Sequence, residues 1–138
     1  MPAGCPFCTI ADGTLPAARI HDGERCVAFL DSRPLFKGHV LVVPRAHWAT
    51  LADAPAADVA AVFDLARRLA DAVERGLGAD GSFVAVNNRV SQSVPHLHVH
   101  VVPRRNGDGL RGFFWPRQRY DDDDEVESYR LRIADALL

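Results

Sequence analysis

The sequence predicts an α+β fold: an antiparallel sheet of about five strands, one long helix packed on it, and a second helix near the carboxyl end. Three features lead there. Short β-branched runs bounded by Gly, Pro and Asp recur along the chain. Their order is strands, one long stretch with apolar residues at helical spacing, then strands again. Near the end, Asp121-Asp122-Asp123-Asp124-Glu125 fits a helix start, where negative charge meets the positive end of the helix dipole.

Residues 18 to 21 and 26 to 30 flank the turn-prone pair Asp22-Gly23 and read as a hairpin. Ser32-Arg33-Pro34 breaks the second strand. After Lys37-Gly38, His39-Val40-Leu41-Val42-Val43-Pro44 reads as a buried strand closed by proline. The long helix has Asp53 as its cap and Pro55 in its first turn. Val59, Val62, Phe63, Ala66, Leu69, Ala70, Val73 and Leu77 share one of its faces, and Gly76 or Gly78 ends it. Strands follow from Ser82 to Asn87 and from Leu97 to Pro103. Val126, Tyr129, Ile133 and Leu137 give the last helix an inward stripe.

Composition narrows the class. A chain of 138 residues, 48% hydrophobic and 25% charged, suits one globular domain over residues 1–138 whose core needs no disulfide. A formal net charge of -2 argues against a dedicated nucleic-acid surface. The amino terminus has no basic stretch followed by an apolar run, and no apolar stretch reaches membrane-spanning length. A cytoplasmic location without a membrane partner is therefore expected. Three cysteines, an odd number, make a poor disulfide framework.

The chemistry is concentrated in Gln92-Ser93-Val94-Pro95-His96-Leu97-His98-Val99-His100-Val101-Val102-Pro103. Alternate residues of a strand share a face. The three imidazoles would then stand about 6.6 Å apart in a row, while Leu97, Val99 and Val101 enter the core. Neutral imidazole, with an ordinary pKa of about 6.5, is a good nucleophile near neutral pH. It can attack phosphorus and form a phosphoramidate, which splits one difficult displacement into two easier ones. A second imidazole can hand a proton to the departing group, and a nearby hydroxyl or amide can hold phosphate oxygens. Cys5 and Cys8 form a Cys-x-x-Cys pair, ambiguous between zinc and redox chemistry. A thioredoxin-type site would follow a strand, whereas this pair stands at the chain terminus. Zinc would need two further ligands to close a tetrahedral site.

His96-Leu97-His98-Val99-His100-Val101-Val102, preceded by Gln92-Ser93, resembles the hallmark of the histidine-triad (HIT) family. Cys5-Pro6-Phe7-Cys8 resembles the zinc pair of many bacterial members. Ala28-Phe29-Leu30-Asp31 resembles the segment whose acid meets the nucleotide ribose, and the run from Lys37 to His47 resembles the family's next strand. The resemblance covers about residues 5–105 and leaves a tail and helix over 106–138. It implies the HIT-like fold, with the sheet continued across a homodimer. It also implies that His98 is the nucleophile on the α-phosphorus, its other ring nitrogen donating to a backbone carbonyl. His100 and Ser93 would share the catalysis, with His100 at the phosphate or bridging atom. Gln92 and Ser93 would hold phosphate oxygens and the leaving group. Asp31 would accept from the ribose hydroxyls, Asn87 would touch sugar or phosphate, and His39 would support the triad. Cys5, Cys8, His47 and His96 would hold one structural Zn2+ per protomer.

The implied activity is hydrolysis of a purine nucleoside 5'-phosphate derivative, an adenosine phosphoramidate or a dinucleoside polyphosphate, through a covalent nucleotidyl-histidine that releases the monophosphate. Nucleotidyl transfer to a second phosphate is one alternative. A zinc- or nucleotide-binding interaction module without strong catalysis is another. The run from Val99 to Arg105, followed by Gly107-Asp108, is similar to the Fhit branch, which acts on dinucleoside polyphosphates. Phe113-Phe114-Trp115 would stack a second base or pack under the last helix.

Overall fold

A computed structural model describes residues 3–110 and 117–137, so Phe113-Phe114-Trp115 lies outside the described residues. Its strands are β1 (Arg19–Asp22), β2 (Cys26–Leu30), β3 (Val40–Pro44), β4 (Gly81–Val86) and β5 (Val99–Arg104). Its helices are α1 (Pro6–Ala11), α2 (Ala56–Leu77) and α3 (Asp123–Ala136). The chain divides into two compact units, residues 1–108 and 109–138. The first holds the sheet, in the order β1-β2-β3-β5-β4, with every neighbouring pair antiparallel.

Period-two alternation explains the layers. On one face Ala28, Val40, Val42, Val99 and Val101 pack against Val62, Leu65, Ala66, Leu69 and Val73 of α2. On the other, Val27, Phe29, Leu41 and Val43 pack against Phe7, Cys8, Ile10 and Ala11 of α1. With both faces covered, β3 is apolar throughout rather than alternating, and all five of its residues are buried. His100 lies opposite Leu41 in the β3–β5 ladder, so it shares the face that α1 covers.

Some expectations need correction. Asp53 does not cap α2: it belongs to a 3-10 turn, Leu51–Asp53, where its Oδ2 accepts from the Thr50 amide and hydroxyl. The helix starts after Pro55 and ends at Gly78 in the left-handed conformation. Phe63 and Leu77 stay exposed while Leu65 turns inward, because the stripe facing a sheet is narrower than the run of apolar positions. The histidine row is not wholly in a strand. The His96 amide donates to Val94 and the Leu97 amide to Trp48, so that stretch finds its partners in a turn and a loop, and β5 begins at Val99. The short helix α1 had no expectation at all.

Gly38 lies just before His39 with φ +95, and a Cβ there would stand 2.5 Å from Leu77 Cδ1. Gly38→Ala should cost about 1–3 kcal/mol from the backbone conformation alone. Chemical denaturation should register that loss, and adding Leu77→Ala should recover only the contact share. Full recovery would contradict the backbone explanation.

In the second unit the acidic run does start a helix. Asp122 accepts from the Glu125 amide, and Asp123, Asp124 and Glu125 occupy the first turn. Within this unit Val126, Tyr129, Ile133 and Leu137 are exposed and form no buried stripe. Tyr129 instead meets Tyr120 edge-on and lies under the Arg132 guanidinium. No helix of the described residues is long and apolar enough to cross a membrane.

Candidate active site and metal centre

Two clusters flank one another on the α1 face. The first gathers Cys5, Cys8, His47 and His96, with one ligand-type atom from each within 4.8 Å of the others. Cys5 caps α1 and its sulfur accepts from the Cys8 amide. The loop after β3 carries His47. Its neighbour Trp48 donates to Asp58 of α2, and the Trp48 carbonyl accepts from Leu97, so the loop is tied to both the helix and the His96 segment. Arg25 also reaches Asp58, at 2.8 Å, so that buried carboxylate is paired.

Hydrogen-bond direction assigns the His96 tautomer. Its Nε2 lies 2.9 Å from the Pro44 carbonyl, which can only accept, so Nε2 carries the proton. The Nδ1 lone pair then faces Cys5 Sγ at 3.4 Å, Cys8 Sγ at 3.5 Å and His47 Nδ1 at 3.1 Å. Tetrahedral zinc with ordinary Zn–N and Zn–S bonds would separate two nitrogens by about 3.4 Å and a nitrogen and sulfur by about 3.6 Å. The donor set therefore fits zinc in kind and spacing. A carbonyl holding the far nitrogen of a ligating histidine is the usual arrangement around such sites. Burial pushes the Cys8 thiol up to about 11, and a cation would reverse that.

The second cluster lines a cavity of about 610 Å³, a size that suits a small-molecule ligand. Asp31, Ser93, His98 and His100 line its polar side, and Phe7, Ile10 and Phe29 line an apolar wall. His98 Nδ1 stands 2.7 Å from the His96 carbonyl, so Nδ1 carries the proton and Nε2 keeps its lone pair. Burial lowers the His98 pKa, which keeps the ring neutral.

A second chain of bonds runs the opposite way. The Leu35 amide donates to His39 Nδ1 at 3.1 Å, which leaves the proton of His39 on Nε2. That nitrogen is 3.0 Å from His100 Nδ1 and donates to it, so His100 carries its proton on Nε2. Among the described residues, His100 Nε2 is the buried side-chain nitrogen or oxygen that lacks a partner. The site thus presents a lone pair on His98 beside an unsatisfied donor on His100, with ring centroids 4.9 Å apart. Asp31, His39 and His100 also bring ligand-type atoms together, but both His39 nitrogens are already engaged.

Burial lowers the His39 pKa. Burial first, then His98 and His39, brings that of His100 from 6.5 down to about 4. Between those values the unfolded chain binds a proton that the folded chain refuses, so acidification favours unfolding. We expect the melting temperature to fall from about pH 6.5 to about pH 4, and the fall to shrink in His100→Gln. Parallel curves for parent and variant would contradict this.

The structure brings together Asp31, Ser93, His98 and His100 at the cavity and places His39 behind them. Asn87 and Gln92 do not line it. Gln92 instead accepts from the Arg89 amide and donates to the Ala49 carbonyl, tying two loops. Phe7, Ile10 and the Leu35 amide were missed. The available signal was Phe7 standing between the two cysteines; a backbone donor leaves none.

Comparisons with known proteins identify the family. The chain is 38% identical over 132 residues to a HIT-like protein of Mycobacterium tuberculosis, covering 94% of this chain and 92% of that one. It is 33% identical over 123 residues to the adenosine 5'-monophosphoramidase HNT1 of Saccharomyces cerevisiae, covering 88% and 75% of the two chains. A Zn-bound histidine triad family protein from Mycobacterium smegmatis superposes with a TM-score of 0.74 at 39% identity, covering 96% of this chain and 94% of that one. With the HIT domain family matching residues 12–107, the segment that carries the sheet, the long helix and all three triad histidines, this chain belongs to the HIT family.

Proposed function

We propose that this chain is a nucleotide hydrolase that cleaves an adenosine 5'-phosphate derivative, a phosphoramidate or a dinucleoside polyphosphate, through a covalent intermediate on His98. The observation that carries the reading is the opposed pair of tautomers: a lone pair on His98 Nε2 next to a free donor on His100 Nε2. The adenosine 5'-monophosphoramidase relative supports the substrate class.

In the first step the His98 lone pair forms an N–P bond while the bond to the leaving group breaks. The leaving group departs with its electron pair and takes a proton from solvent. His98 Nδ1–H stays on the His96 carbonyl and steadies the charged ring. His100, neutral because it titrates at about 4, donates a hydrogen bond to a phosphate oxygen rather than a proton to the leaving group. Ser93 binds a second oxygen, and Asp31 takes the ribose hydroxyls. In the second step water attacks phosphorus, the N–P bond breaks, and the water's proton returns to solvent. Net, one water is consumed and a monophosphate is released.

Cys5, Cys8, His47 and His96 would hold Zn2+, whose contribution there is structural: it joins the amino-terminal helix to the segment before β5. We read residues 1–138 as one functional domain, and the chain as a homodimer with a continuous sheet. Exposed Phe63 and Leu77 on α2 and exposed Val84 on the edge strand β4 support the dimer.

A turnover panel tests the function. Adenosine phosphoramidate and diadenosine polyphosphates are compared, with AMP release followed by chromatography. AMP from at least one class, at more than 10²-fold over buffer, is expected. Absence of AMP from every member would refute the reading.

A further inference from the structure

Helix α1 belongs to both clusters at once. Its cap Cys5 and its own Cys8 supply half of the metal donor set, and Phe7 stands between them in sequence. The Phe7 ring lies 5.0 Å from the His98 ring and 5.6 Å from that of Phe29, and Phe7 and Ile10 form part of the cavity wall. Six residues are too few to hold a helix by their own hydrogen bonds. What fixes α1 is its apolar packing on Val27, Phe29, Leu41 and Val43, the Arg45 bond to the Ala11 carbonyl, and whatever ties Cys5 and Cys8 to His47 and His96. The last of these holds the end of the helix where Phe7 sits.

We propose that metal at the four-ligand cluster and nucleotide in the cavity bind cooperatively, coupled through α1 and its Phe7. The inference rests on the nucleotide reading above. With the metal bound, Cys5 and Cys8 pin the first turn of α1 and Phe7 presents a rigid flat surface. Without it, that turn is held only by packing and by weak local hydrogen bonds such as that from the Cys8 amide to the Cys5 sulfur, and a ligand must order the wall before using it. The part of the ligand that meets an apolar, aromatic wall is the base. The sugar and phosphate face Asp31, Ser93 and the histidines, which other elements carry. The coupling is therefore specific to the base. It is also reciprocal: whatever factor zinc gives to nucleotide affinity, nucleotide gives to zinc affinity.

Calorimetric titration of AMP and of ribose 5-phosphate into zinc-loaded and EDTA-stripped protein tests this, with circular dichroism confirming that the stripped chain keeps its helices and sheet. We expect stripping to weaken AMP roughly tenfold and ribose 5-phosphate far less. Zinc-loaded Phe7→Ala should retain its metal and show the same loss for AMP. Transfer of zinc from the loaded protein to a chromogenic chelator needs no stripped protein, and AMP should oppose it by the same factor. Equal AMP affinity with and without zinc, no effect of AMP on zinc transfer, or equal losses for the two ligands would each overturn the coupling. Zinc-loaded protein that binds neither ligand would instead refute the nucleotide reading, and the coupling with it.

Discussion

His98→Ala should lower turnover at least ~10⁴-fold, since removing the nucleophile of a covalent mechanism leaves only binding and electrostatic assistance. The fold should survive. His98 is buried but borders the cavity rather than the packed core, and its Nδ1 hydrogen bond runs to the backbone of its own segment. The melting temperature should therefore move by a few degrees at most, and zinc content should not change. Soluble variant protein assayed by AMP release, circular dichroism and metal analysis separates the outcomes. A folded variant with a tenth of the parent's activity would place the chemistry elsewhere. A variant that fails to fold would make His98 a structural residue.

Removing the metal should act on stability first. The cluster joins residues as far apart as Cys5 and His96, across 91 positions of the chain, and structural zinc sites return much of their binding energy as folding energy. Chelation should lower the melting temperature by about 10 °C or more, and Cys8→Ser should reproduce the loss. Zinc added back should restore the parent but not the variant. Fresh protein without zinc, or a melting curve indifferent to EDTA, would contradict the assignment of these four side chains.

Sequence pattern carried most of the sheet. The apolar run of β2, the β-branched run of β3, the helix ending at Gly78 and the acidic start of α3 follow from local chemistry. The failures have a common origin in tertiary partners. Asp53 has the chemistry of a cap, but Thr50 claims it. His96 continues the alternation of His98 and His100, but its amide turns back to Val94, and its ring leaves the row for the cysteines. A six-residue helix that starts with proline has no period to read, so α1 was invisible although it forms a wall of the site. The direction of the His39–His100 bond depends on one backbone amide at Leu35, and no residue type announces that.

The central claim is that phosphorus is displaced twice, first by His98 and then by water. The stereochemical course at phosphorus tests it most directly, because it does not require the intermediate to accumulate. A chiral adenosine phosphorothioate bearing the cleavable leaving group is hydrolysed in ¹⁸O-water, and the configuration of the product is determined. Two in-line displacements predict net retention. Inversion would mean that water attacks directly and that His98 never bonds to phosphorus.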